Sequence, residues 1–311
     1  MDRRDTKIMV AKLYYLEGLS QEEISKKIHL SRPSVSRLLK ACVEEGIVQI
    51  KIDDVSSLGK ELGKRLVDTY GIRKAIVVPQ GRSAEADKEK VGQAAASYLE
   101  ELLLSGMLIG ISWGTTIHSV VQNIAQRNVK ADVIQLLGGT GSKTGDTDAN
   151  SMALALARAL SGDAYLLQAP FMVQSKILRD LLMEEPHIKS HFERLKNTDV
   201  AIVGLGSTKP ELSAQFRSGH INMEDSERLI SEGAVGDICG RYVDINGHEC
   251  HTSLSDKMIA ISLDTLKRIP TVIGVAAGEQ KADILVGALR GRYIDVLITD
   301  EKAAISALEY R

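Results

Sequence analysis

SQEEISKKIHLSRPSVSRLLK, residues 20–40, decides how the N-terminal part of this chain folds. Ser20 followed three positions later by Glu23 has the form of a capping box, in which each side chain satisfies the other's unpaired backbone donor at a helix start. Ile24 and Ile28 lie on one face, His29-Leu30 interrupt the run, and Ser31 offers a second N-cap. Pro33 falls in the first turn of the second helix, where a missing N–H costs nothing. Val35, Leu38 and Leu39 form the apolar stripe of that helix, leaving Arg32, Ser34, Ser36, Arg37 and Lys40 on the other face. Two short helices, a tight turn and a basic outer face make the helix-turn-helix arrangement that seats a recognition helix in the DNA major groove. Arg32 and Arg37 suit bidentate bonds to guanine, whereas Lys40 and the hydroxyls suit phosphates. The expected contacts to double-stranded DNA are Ser20, Gln21, Ser31, Arg32, Pro33, Ser34, Ser36, Arg37 and Lys40. The competing reading is a plain helical hairpin with a solvated charged face; two caps, turn spacing and basic face together favour DNA binding.

Upstream, Ile8, Ala11, Leu13, Tyr14 and Tyr15 recur at roughly helical spacing over residues 6–16, and Gly18 ends that helix. Downstream, Gly46 breaks the chain and Ile47-Val48-Gln49-Ile50-Lys51-Ile52 alternates enough to form a short strand or wing. Residues 1–52 hold ten Lys or Arg against seven Asp or Glu, while the whole chain is at −2, so the basic excess sits with the DNA motif. Leu58, Leu62 and Leu66 recur every four residues, as core packing or as a stripe that pairs with a second copy. The expected division is a DNA-binding domain at 1–54, a linker helix at 55–70 and a ligand-binding and oligomerisation domain at 71–311.

At 311 residues the chain exceeds one typical domain, and 44% hydrophobic content is ordinary for a soluble protein. The N-terminus mixes charges of both signs without an apolar core, and no apolar run approaches the ~20 residues that cross a bilayer, so a cytoplasmic protein is expected. Cys42, Cys239 and Cys250 show no metal-ligand spacing and read as structural thiols, with a reactive Cys239 as the minor alternative. His118, His220 and His251 have no partners at ligand spacing, so no metal site is expected.

From residue 71 the pattern changes to short apolar runs alternating with helices, the signature of a Rossmann-like, mostly parallel α/β domain. Expected strands are Ala75–Val78, Met107–Ser112, Asp132–Leu137, Tyr165–Leu167, Val200–Val203, Val272–Ala276 and Val296–Ile298; Asn246-Gly247 suggests a hairpin joining Arg241–Asp244 to the segment after it. Several strands end in glycine and hydroxyl clusters: Ser112-Trp113-Gly114-Thr115-Thr116, Gly138-Gly139-Thr140-Gly141-Ser142, Gly204-Leu205-Gly206-Ser207-Thr208 and Ala277-Gly278-Glu279-Gln280-Lys281. Strand ends line the ligand crevice of such sheets, and glycine lets backbone N–H groups approach an anion. Any one such loop can be a mere tight turn; their repetition points to a phosphorylated small ligand. No loop has a full G-x-G-x-x-G, so no dinucleotide cofactor is expected. Asp237, between apolar neighbours beside Gly236, is either a contact to sugar hydroxyls or a structural turn residue, and Asn150 is either a plain N-cap for a helix over 151–160 or a sugar contact.

The order SQEEISKKIHLSRPSVSRLLK, GIVQIKI, GISWGTT, QLLGG, VAIVGLGS, AVGDICGRYVDING, GVAAGEQK and GALRGRYIDVLITDEKAA resembles the SorC family of bacterial sugar-responsive transcriptional regulators along nearly the whole chain. The resemblance implies an N-terminal helix-turn-helix and an effector domain resembling sugar-phosphate isomerases. It also implies assembly into dimers or tetramers and a sugar or phosphosugar inducer. On this chain it makes the GISWGTT and GG-T-G-S loops, Asp237, Glu279 and Lys281 effector contacts. Leu136-Leu137 stand before Gly138 and Lys143 is the lysine nearest that loop, so a covalent Schiff-base effector is not expected. The resulting expectation is a repressor of a carbohydrate-utilisation operon, with no catalytic residues. The alternative is an isomerase-like enzyme carrying a DNA-binding domain, for which Asp237 and Glu279 are isolated acid–base candidates.

Overall fold

The computed structural model describes residues 3–48, 56–141 and 148–310, which fall into two compact units, Met1–Asp54 and Val55–Arg311. In the first, α1 (Arg3–Ala11) runs into a widened π-type turn at Lys12–Leu16, closed by Glu17 N–H donating to the Lys12 carbonyl at 3.1 Å. The single helix expected over 6–16 is thus interrupted, which keeps Leu13 in the core and leaves Leu16 79% exposed. α2 (Gln21–Ile28) starts at the capping box: Ser20 N–H donates to Glu23 at 2.8 Å and Glu23 N–H donates to Ser20 at 3.3 Å. His29 adopts a left-handed φ of 54° to end it, and α3 (Arg32–Glu44) begins with Ser31 accepting from Ser34 N–H. Val10, Leu13, Ile24, Val35 and Leu39 bury the three helices against one another. Residues 49–52 of the expected wing lie outside the described residues.

The second unit opens with α4 (Ser57–Tyr70), the expected linker helix. It is part of this unit, because its stripe covers the sheet: Leu62 and Leu66 are buried, and Tyr70 donates to the Ala307 carbonyl at 2.7 Å. A Cβ on Gly63 would come within 2.7 Å of the Ala75 carbonyl, so glycine sets how closely the helix packs. Next come β1 (Lys74–Val78), α5 (Ala84–Leu102), β2 (Leu108–Ile111), α6 (Thr115–Asn123), β3 (Asp132–Gln135), α7 (Ala149–Leu160) and β4 (Ala164–Tyr165). They are followed by α8 (Lys176–Glu184), α9 (Pro186–Leu195), β5 (Val200–Ser207), α10 (Ala214–Arg217) and α11 (Met223–Ser231). The chain ends with β6 (Ala234–Ile238), β7 (Arg241–Asp244), α12 (Leu263–Leu266), β8 (Thr271–Val275), α13 (Ala282–Arg290), β9 (Val296–Asp300) and α14 (Glu301–Glu309).

Seven strands pair in parallel in the order β1-β9-β8-β5-β2-β3-β4. Alternate residues feed opposite faces: Val77, Ala201, Val203 and Leu297 one core, Val78, Val200, Ile202, Val296 and Ile298 the other. Burying each such aliphatic side chain contributes about 1.5–3 kcal/mol. The far end of β5 pairs antiparallel with β6, and β6 with β7. The expected hairpin is therefore one arm of a meander. Its missed arm, β6, turns at Cys239-Gly240, where both residues have positive φ, 52° and 82°. Asn246-Gly247 does turn the chain back, to a bridge between Val243 and Glu249.

Candidate functional site

On the first unit, the side chains of Ser20 and Ser31 are engaged as helix caps, while Arg32, Pro33, Ser36, Arg37 and Lys40 stand exposed along α3. Arg37 Nη2 reaches the Ser34 hydroxyl at 3.4 Å, which steadies the guanidinium over the first turn. Gln21 and Ser34 are half-buried. The α2 lysines are matched by carboxylates, Lys26 with Glu22 at 3.1 Å and Lys27 with Glu17 at 3.5 Å, so the positive potential of the reading pair comes from α3.

In the second unit the chain winds from β2 through β3 to β4 in one direction, and from β5 through β8 to β9 in the other. Open α/β sheets bind ligands at such a reversal, beyond the carboxyl ends of the strands. There a cavity of about 170 Å³ opens, lined by Lys88, Trp113-Gly114-Thr115-Thr116, Gly204, Gly206, Gln215, Arg217, Asp237, Gly278 and Lys281 among others. At about 10–15 Å³ per water-sized group, this admits a ligand of roughly eleven to seventeen heavy atoms, the size of a small sugar phosphate.

Three strand ends build it. After β2, Ser112 Oγ accepts from Gly204 N–H at 3.0 Å, tying the ends of β2 and β5 together. Gly114 then takes φ 126°, conformational space open to glycine, and α6 starts with no side-chain cap, so its first N–H groups and its dipole face the cavity. After β8, Gly278 at φ 98° donates its N–H to Asp300, which also caps α14. Lys281 is thereby fixed at the cavity. On β6, Asp237 stands opposite Gly206 of β5 and accepts from Gly240 N–H at 2.9 Å. A Cβ on Gly206 would lie 2.1 Å from Asp237 Oδ1, so glycine there makes room for the carboxyl.

Burial pushes the Asp237 carboxyl up, against the Gly240 N–H and the Lys281 charge. Burial likewise lowers Lys281 to about 8; Asp237 opposes that drop, and Arg217 and Lys88 add to it. These charges sense one another across the cavity. Cys239 also lines it, but burial pushes its thiol up, so it stays protonated and the reactive-thiol alternative has no support.

Of the expected effector contacts, Trp113, Gly114, Thr115, Thr116, Gly204, Gly206, Asp237, Gly278 and Lys281 converge here. The third loop does not. Gly138 and Gly139 donate their N–H groups to Ile259 and Ala169, at 3.0 and 2.8 Å, and Thr140 donates its hydroxyl to Asp148. Gly141 is exposed away from the cavity, and Ser142 lies outside the described residues, as does Lys143. Glu279 faces a separate hollow with Lys209, Asp283 and Tyr310. Asn150 is inside the first turn of α7, accepting from Gln135 at 2.8 Å; Asp148 is the N-cap. Lys88, Gln215 and Arg217 were not foreseen, since nothing in the residues around them has a ligand pattern. Among the described residues no cluster of His, Cys, Asp or Glu could hold a metal ion, and no helix is long and apolar enough to cross a membrane.

A helix-turn-helix unit joined to an α/β unit with a strand-end cavity defines a one-chain regulator class, with a DNA reader and a small-molecule sensor. Known proteins agree: a sugar-binding-domain family model matches residues 57–309, and a winged helix-turn-helix DNA-binding model matches 17–49. The chain belongs to the SorC family of sugar-binding transcriptional regulators. It is 32% identical to the sorbitol operon regulator of Klebsiella pneumoniae, over 96% of this chain and 95% of that one. It is also 32% identical to the deoxyribonucleoside regulator of Bacillus subtilis, over 98% of both. The crystal structure of the full-length K. pneumoniae regulator superposes with a TM-score of 0.84 at 31% identity, covering 99% of this chain and 100% of that one.

Proposed function

We propose that this chain is a cytoplasmic repressor of a carbohydrate-utilisation operon, released from its operator by a sugar phosphate. The observation that carries the reading is the cavity at the sheet reversal, where Lys88, Arg217, Lys281 and the uncapped start of α6 surround space for one small anion-bearing ligand. Phosphate at a helix start gains N–H bonds and the dipole together. The contacts we assign to the effector are Trp113, Gly114, Thr115, Thr116, Gly204, Gly206, Asp237, Gly278 and Lys281, with Lys88, Gln215 and Arg217 added. Those to DNA are Arg32, Ser36, Arg37 and Lys40 for bases and phosphates, with Gln21, Pro33 and Ser34 at the helix starts.

The mechanism is linkage: effector favours one arrangement of a homo-oligomer, operator the other. Two reading helices match successive major-groove faces when held about 34 Å apart. A dimer or tetramer is supported by α8, whose Ile177 and Leu181 are 74% and 64% exposed on a helix that buries none of its residues. The site binds without turnover, since Lys88 and Lys281 are committed to the anion and Asp237 to a hydroxyl, and Glu211 is exposed at the rim. An electrophoretic mobility assay with the upstream region of the neighbouring operon should show retardation that weakens with salt and is released by a sugar phosphate. Retention unaffected by any sugar phosphate, or measurable conversion of one, would overturn it.

A further inference from the structure

The cavity is not uniform with depth. At its mouth Thr115 and Arg217 are exposed and Lys88 half-buried. At its floor Gln215 and Cys239 are 2% and 3% exposed, beside Asp237. Lys88 and Arg217 at the mouth stand with the exposed Glu211, the floor holds the Asp237 carboxyl, and Lys281 is within reach of the charges of both.

Gln215 is the unusual member of the floor. Its Oε1 accepts from the Tyr242 hydroxyl at 2.7 Å, which fixes the amide and turns the buried Nε2 toward the Asp237 carboxyl without closing a well-formed hydrogen bond to it. Tyr242 is itself 1% exposed, so the lock is rigid. A buried amide N–H without a partner is costly unless a ligand supplies one. Asp237 is pinned beside it by Gly240 N–H and by the missing side chain of Gly206. A carboxylate and an amide donor side by side suit one hydroxyl, which donates to Asp237 and accepts from Gln215. They do not suit a second phosphate, which as a dianion has no hydrogen to donate to the Asp237 carboxyl and would set acceptor against acceptor.

Building on the sugar-phosphate reading above, we infer that this site takes a sugar carrying one phosphate and rejects a bisphosphate. Gln215, locked by Tyr242, reads a hydroxyl of the unphosphorylated end together with Asp237. The phosphate sits at the mouth among Lys88, Arg217, Lys281 and the start of α6, and the polyol end points to the floor.

The test is a titration of the full chain followed by the fluorescence of Trp113, the one tryptophan, which lines the cavity. The probes are inorganic phosphate, a panel of four- to six-carbon aldose and ketose monophosphates, fructose 1,6-bisphosphate, and the same sugars unphosphorylated. The tightest monophosphate should bind at least tenfold better than inorganic phosphate and than the bisphosphate. Asp237→Asn should narrow the gap to the bisphosphate. Gln215→Leu should weaken the tightest monophosphate about tenfold and leave inorganic phosphate within twofold, a difference that a merely structural residue would not produce. If that variant fails to fold, Tyr242→Phe, which frees the amide without changing volume much, should show the same split at severalfold. A bisphosphate binding as tightly as any monophosphate, or both variants weakening inorganic phosphate equally, would overturn the inference and leave the repressor reading standing. Unphosphorylated sugars binding while every phosphate fails would overturn that reading itself.

Discussion

The loops at residues 112–116 and 138–141 look alike in sequence, each a strand end followed by glycines and hydroxyls ahead of a helix, yet they do opposite things. The first leaves the start of α6 without a side-chain cap and lines the cavity. In the second, Gly138 and Gly139 donate to Ile259 and Ala169, and the start of α7 is capped by Asp148, which accepts from the N–H groups of Asn150 and Ser151. A carboxylate already occupies the position that an anion would take. What separates a phosphate cradle from a packing turn is whether distant residues have used its donors, not the glycines themselves.

The largest expected effect separates the loops by charge. Lys281→Met removes a cation from the cavity and should weaken sugar-phosphate binding by about 2–3 kcal/mol, roughly 30- to 150-fold, in a Trp113 titration. Asp148→Ala, its counterpart in the spent loop, should cost about 1 kcal/mol of helix capping in a denaturant melt and leave binding within twofold. Next come the glycines. Gly206→Ala drives Asp237 from its place and should lose sugar-phosphate affinity about tenfold, the buried hydrogen bonds being worth about 1–1.5 kcal/mol. Gly138→Ala places a Cβ 2.6 Å from the Ala169 carbonyl and the Pro170 backbone, and should appear instead as about 1–3 kcal/mol of lost stability. Binding lost in Gly138→Ala protein that remains folded would break the comparison. On the DNA unit, Arg37→Ala should weaken operator binding by about 1–3 kcal/mol while sugar-phosphate binding stays unchanged.

The same contrast explains what was legible in the sequence. The helix-turn-helix was readable because capping is local: Ser20 and Glu23, or Ser31 and Ser34, settle their own backbone within a turn. The parallel sheet was readable because strands buried on both faces are continuous apolar runs. β6 was not, since Gly236 and Asp237 interrupt its apolar pattern; the glycine is there because a Cβ would strike the Gly206 carbonyl at 2.3 Å. The spacing of Leu62 and Leu66 makes a stripe, but which surface a stripe covers is a tertiary fact, and it covers the sheet. The cavity's Lys88, Gln215 and Arg217 come from α5 and the four-residue α10, brought to the strand ends by the fold and marked by no motif.

The smallest effect, and the most diagnostic, is with pH. Burial lowers Lys281 to about 8, below its ordinary value of 10.5. A bound phosphate favours the ammonium form, so binding raises this pKa again and, above about pH 8, takes up a proton. Sugar-phosphate affinity should therefore hold steady from pH 7 to about 8 and fall above it, approaching tenfold per pH unit while the free lysine is neutral and the bound one charged. Below about pH 6 it should fall for a different reason, as the phosphate itself loses its second charge. In Lys281→Met the alkaline fall should vanish and the acidic one remain. An alkaline fall that persists in that variant would place the titrating group elsewhere and remove Lys281 from the anion site.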